Sequence, residues 1–184
     1  MVDTDLRMHT YIDQLPAKIR PKITAILRTR GFYSIPDLVS QLKSHIWGLI
    51  EVNIRGCFHA ASSLLEKIDH AQNRFFNKLG LTSAQALLDF NAAPPRLRRN
   101  IAALGLLHKR VIGKCHPAFD RLFPWYSDRF TEGRGRGHNK QLYSHWVEIS
   151  AHNALYYRSI FAMADVYNNL PQHVVDATSV KVFQ

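Results

Sequence analysis

Ser63-Leu64-Leu65-Glu66-Lys67-Ile68-Asp69-His70-Ala71-Gln72-Asn73-Arg74-Phe75-Phe76-Asn77-Lys78-Leu79 is the stretch whose reading decides the fold. Leu64, Leu65, Ile68, Ala71, Phe75, Phe76 and Leu79 recur at helical spacing and make one apolar stripe. Lys67, Asp69, His70, Asn73, Arg74, Asn77 and Lys78 fill the other face. Ser63 followed three residues later by Glu66 predicts a capping box at the start, and Gly80 a stop at the end.

The same period extends in both directions. Upstream, Leu15 to Arg30 reads as a short basic helix with Ile19, Ile23, Ile26 and Leu27 on one face, kinked or restarted at Pro21 and ended by Gly31. Ser34 with Asp37 starts a longer helix carrying Leu38, Leu42, Ile46 and Leu49. Downstream, Thr82 with Gln85 caps a short helix with Leu87, Leu88 and Phe90, closed by Pro94-Pro95. From Pro95 to Ile112, Leu97, Ile101, Leu104, His108 and Val111 share one face, and Arg96, Arg99, Ala103 and Arg110 lie roughly opposite. His108 on the apolar side reads as a hydrogen-bonded core or boundary residue rather than a ligand or an acid-base group.

After Gly113 the pattern breaks at Pro117, Pro124 and Gly133-Arg134-Gly135-Arg136-Gly137, so a loop with short helical pieces is expected. Helical spacing resumes with Leu155, Tyr156, Ser159, Met163, Val166 and Leu170 up to Pro171, and Thr178 to Gln184 begins a last short helix. The expectation is an all-α fold: an irregular helical bundle with a long basic, aromatic-rich loop region between the central and C-terminal helices. It forms a single domain over 1–184, with N-terminal helices in 1–57, central helices in 58–114, a loop-rich basic segment in 115–153 and a C-terminal helix and tail in 154–184. No internal repeat is visible.

A chain of 184 residues can bury one core without a staple, and 46% apolar with 21% charged residues is a globular composition. Lys and Arg number 24 against 14 Asp and Glu, a net charge of +10 that favours polyanionic partners. The excess is regional: residues 94–140 hold eleven Lys/Arg against three Asp/Glu. Such a window suits a nucleic-acid footprint, and a solvated face with local counterions accounts for it equally well. Cys57 and Cys115 sit in no paired motif, which predicts reduced thiols and an intracellular location, nuclear or cytoplasmic. Met1-Val2-Asp3-Thr4-Asp5 does not resemble a signal peptide, and no apolar run is long enough to span a bilayer, so neither secretion nor a membrane partner is expected.

The Gly-Arg tract lacks the spacing of a phosphate-binding loop, and it reads as a flexible linker or as an arginine arm touching phosphates. Between Phe119 and Trp146, Phe123, Trp125, Tyr126, Phe130 and Tyr143 interleave with Arg121, Arg129, Arg134, Arg136 and Lys140. That mixture suits single strands, and it equally describes aromatics that anchor a long loop on the core. Cys57 with His59 and Cys115 with His116 have no completing ligands, the acidic residues are scattered singly, and no nucleophile, base and orienter assemble. No catalytic residue, metal, cofactor or small-molecule substrate is therefore expected.

Three stretches carry a resemblance. Leu65-Glu66-Lys67-Ile68-Asp69-His70-Ala71-Gln72-Asn73-Arg74-Phe75-Phe76 is similar to the helix that follows the polymerase core in non-LTR (LINE-type) retrotransposon reverse transcriptases. The run from Pro95 through Arg98-Arg99 to His108-Lys109 resembles the paired-arginine segment of the same proteins. Val166-Tyr167-Asn168-Asn169-Leu170-Pro171, continuing to Phe183, resembles their closing signature, with Tyr167 in place of tryptophan. The resemblance implies the C-terminal, post-polymerase segment of such a polyprotein, which helps hold RNA or DNA beside a polymerase portion supplied from elsewhere. It implies no activity here: no Asp-Asp occurs in the chain, so RNA-directed DNA polymerisation would belong to a missing upstream region. The chain stops inside the family's last helix, as a truncated or decayed element would. The expectation is thus a non-catalytic nucleic-acid-binding module with Arg96, Arg99, Arg110, Arg134, Arg136 and Lys140 on phosphates and Trp125 or Tyr126 for stacking. The alternative is a retroelement remnant acting only as a structural or protein-interaction domain.

Overall fold

The computed structural model describes residues 9–54, 60–128, 138–144 and 154–184, and these are mostly helical, with no strand. They divide into two compact units, Met1–Arg99 and Asn100–Gln184.

In the first unit, α1 (His9–Arg28) packs along α4 (Ser62–Lys78) and against α2 (Ile35–Leu42). Ile12, Leu15, Ile19, Ile23 and Ile26 of α1 meet Leu38, Val39 and Leu42 of α2 and Leu64, Ile68, Phe75 and Phe76 of α4 in one core. Burying a side chain of this kind contributes about 1.5–3 kcal/mol, which far outweighs the weak helix propensity of β-branched isoleucines. Pro16 and Pro21 both lie inside α1, so the restart expected at Pro21 is not seen. Each proline forfeits one backbone hydrogen bond, and the buried isoleucine stripe runs past both. Ser34 and Asp37 form the expected capping box. The helix after it continues through a π-helical segment, Lys43–Trp47, into α3 (Gly48–Ile54).

The box expected at Ser63 and Glu66 is absent, because α4 starts at Ser62 with Ala61 as its cap. Thr82 and Gln85 do cap α5 (Ser83–Phe90), which ends on Asn91 in the left-handed region, φ 49°. Inside α4, the buried Gln72 accepts from Trp47 Nε1 (2.9 Å) and donates to the Ala93 carbonyl (3.1 Å), so both ends of its amide are hydrogen-bonded.

The helix α6 (Pro95–Val111) begins in the first unit and continues in the second. The second unit adds α7 (Ala118–Leu122), a 3₁₀ turn at Tyr126–Asp128, α8 (Ala154–Tyr157), α9 (Ala162–Asn168), α10 (Gln172–Val175) and α11 (Val180–Phe183). The single helix expected from Leu155 to Leu170 is thus broken between Tyr157 and Ala162. Trp125 and Leu142 form an isolated antiparallel bridge, and the Asn168 side chain clamps Leu142, accepting its N–H (2.9 Å) and donating to its carbonyl (2.7 Å). Among the described residues no helix is long and apolar enough to cross a membrane.

Candidate nucleic-acid interface

The faces of α6 differ from those its periodicity suggested. Leu97 is 41% exposed, whereas Arg99, Ala103, Leu107, His108 and Arg110 are buried. Arg99 sits at 5% exposure because both its terminal nitrogens donate to the Asp69 carboxylate, at 2.8 and 3.0 Å. A bidentate pair of this kind uses the fork that a phosphate would otherwise take. Arg110 donates Nε–H to the Phe123 carbonyl (3.1 Å), pairs with Asp120 (2.9 Å) and lies 4.9 Å from the centroid of the Trp125 ring. Lys140 donates to the Val175 carbonyl (3.1 Å) and to Asp176 (2.7 Å), and with Gln172 it holds the Asp176 carboxyl below the usual carboxylate range.

Arg99 and Arg110, expected on phosphates, are thus buried and paired with carboxylates of their own units. Arg96 is exposed as expected. Trp125 and Tyr126 are half-buried, with Tyr126 N–H bonded to the Gln141 carbonyl (3.1 Å), while Phe123 and Tyr143 are core. Arg134 and Arg136, like Arg129, Phe130 and Trp146, lie outside the described residues.

Arg98 stacks over Trp47 with 3.4 Å from guanidinium carbon to ring centroid and also pairs with Glu51. Every described cation of the paired-arginine segment except Arg96 and Lys109 is thus taken up inside its own unit.

His108 is fully buried, and both its ring nitrogens are bonded. The Ala177 carbonyl, 2.8 Å from Nε2, can only accept, so Nε2 carries the proton and Nδ1 accepts from the Tyr167 hydroxyl at 3.0 Å. Burial pushes the imidazole below its ordinary range, and the nearby Lys140 charge adds to the shift against the opposing hydrogen bond to Ala177. Burial likewise holds the Tyr167 hydroxyl well above the usual phenol value, so it remains a donor. Phe183 stacks on His108 with centroids 4.2 Å apart and planes at 6°. This is the hydrogen-bonded core histidine that the apolar stripe suggested. Among the described residues, no three His, Cys, Asp or Glu side chains group to hold a metal ion.

The cations with an open face are elsewhere. Lys18, Arg20, Lys22 and Arg28 on α1, and Arg30 just after it, are exposed and make no ion pair with a described residue. Residues 17–30 contain no acidic side chain. The sequence had marked this helix as basic, and its isoleucine stripe was the signal that its cations must point outward. Comparison with protein-family models, with curated proteins and with solved structures gives no match to this chain.

Proposed function

We propose that this chain is a non-catalytic nucleic-acid-binding module that contacts RNA or DNA mainly through phosphates. The observation that carries the reading is the separation of its cations into two populations. Lys67, Arg98, Arg99, Arg110 and Lys140 are paired with Asp13, Glu51, Asp69, Asp120 and Asp176, and these pairs are neutral. The net charge of +10 is therefore carried by other groups, prominent among them the open face of α1 and the exposed Arg96, Lys109, Lys114 and Arg121. Unpaired surface cations release counterions when they meet phosphates, which is the main source of sequence-independent affinity. Arg134 and Arg136, outside the described residues, are proposed for the same role on phosphates. A place beside a polymerase, in the manner of the non-LTR retrotransposon tail, is part of the proposal.

A second reading, a helical protein-interaction domain, draws on the exposed Leu88 of the first unit and Val182 of the second. Titration of labelled single-stranded RNA, single-stranded DNA and duplex DNA with the purified chain across a salt series separates the two. The binding module requires affinity that falls steeply with salt. A folded protein without affinity for any of the three leaves the interaction domain.

A further inference from the structure

Between α1 and α2 the chain makes a tight turn whose tip is apolar and open. Phe32 is 89% exposed and Tyr33 50%, with Ile35 beside them at 39%. The turn is held on both sides: Thr29 N–H bonds to the Ile26 carbonyl (3.1 Å), Phe32 N–H to the Thr29 carbonyl (2.9 Å), and the Thr29 hydroxyl to the Ile26 carbonyl (2.7 Å). On the far side the Ser34–Asp37 capping box closes the start of α2. Two aromatic rings are thus presented in water on a backbone that is already ordered. Phe32 packs so little surface that core stability does not explain it.

The turn sits at the end of the basic helix. Arg28 and Arg30 flank it, and Lys18, Arg20 and Lys22 extend the positive charge back along α1 over roughly 15 Å at 1.5 Å per residue. Resting on the nucleic-acid reading above, we infer that the α1–α2 turn is a base-stacking site for single-stranded nucleic acid: Phe32 and Tyr33 stack on unpaired bases while Arg28, Arg30 and the α1 cations hold the adjoining phosphates.

The chemistry favours a strand over an anionic membrane surface. The apolar faces of α1 and α2 are consumed in the core, which leaves only the rings and one isoleucine to insert. That is too little apolar surface to anchor a protein on lipid by itself. Cations spread around the solvent-facing sides of α1 beside exposed rings suit a backbone with bases attached. Stacking is worth a large fraction of single-strand affinity and tolerates any base, because each has a π face.

The test uses the full chain and compares wild type with Phe32→Ala/Tyr33→Ala, Phe32→Trp and Arg28→Ala/Arg30→Ala, on labelled oligo(dT), oligo(U) and duplex DNA and on phosphatidylserine-containing vesicles. Loss of the rings is expected to weaken single-strand binding by about 10-fold per ring, to leave the salt slope and the duplex affinity unchanged, and to be avoided in Phe32→Trp. Removing the two arginines is expected to lower the salt slope by roughly 1.4, at about 0.7 per contact on single strands. Since the rings are exposed, unfolding midpoints should match wild type, and this control keeps the comparison interpretable.

Single-strand affinity that ignores the rings, or an equal loss on duplex and single strand, overturns the stacking site while leaving the general binding reading intact. So does ring-dependent vesicle binding or self-association without a single-strand effect. Wild type that binds no oligonucleotide removes both readings.

Discussion

In residues 94–140, Arg98, Arg99, Arg110 and Lys140 lie against Glu51, Asp69, Asp120 and Asp176; in residues 17–30, Lys18, Arg20, Lys22, Arg28 and Arg30 face solvent with no acid paired to them among the described residues. The first stretch carries the larger total charge in sequence, and the second leaves all five of its cations open to solvent. The difference teaches that a cation's availability depends on where its nearest carboxylate folds to. Asp69 is 30 positions from Arg99, and Asp176 is 36 from Lys140. Nothing local to either cation announces its partner.

Breaking the internal population should cost stability first. Arg99→Ala leaves the Asp69 carboxylate, 17% exposed, without its partner in the first unit, and about 3 kcal/mol of destabilisation is expected. Urea unfolding followed by the fluorescence of Trp47 measures it, and a midpoint equal to wild type would mean that Arg99 is free after all. Arg110→Ala removes a bond to a buried carbonyl, a partly exposed ion pair and a cation–ring contact from the second unit, for about 2 kcal/mol. Hydrogen exchange of the amides near Phe123 reads this loss in its own unit.

Acid should act on the second unit through His108. Its folded value lies below the ordinary imidazole value, so the unfolded chain takes up the proton first. The contribution is whole above the ordinary value and is lost as pH falls towards the folded one. Thermal unfolding from about pH 8 to about pH 5 should show a decline that is smaller in His108→Gln, and an equal decline in both would assign it to other groups. The open population should show the smallest effect on stability: Lys18, Arg20, Lys22 and Arg28 together changed to Gln should move the unfolding free energy by only about 0.5 kcal/mol.

Much of the first unit was legible because local rules decide it. The stripe of α4 is the core it was expected to be, and two of three capping boxes form. The third failed because the cap of α4 is Ala61, two residues before Ser63, which puts Ser63 inside the helix. Of the kink or restart expected at Pro21, the restart is absent, because α1 with its buried isoleucines continues through it. The faces of α6 were misread because Arg99 and Arg110 pass for surface residues until Asp69 and Asp120 are in place. The exposed turn was hidden for another reason: Phe32 and Tyr33 are aromatic residues in a loop, and only the fold reveals how open they are.

The central claim is that the free cations of α1, more than those of the longer window 94–140, meet phosphate. Its most direct test is the salt dependence of single-strand affinity in two charge-matched variants: Lys18, Arg20, Lys22 and Arg28 to Gln, and Arg96, Lys109, Arg134 and Arg136 to Gln. The account predicts that the log–log slope falls by roughly 0.7 for each α1 contact removed and falls less in the second variant. A slope that survives the α1 changes and collapses in the second variant would contradict it and move the interface to the window 94–140.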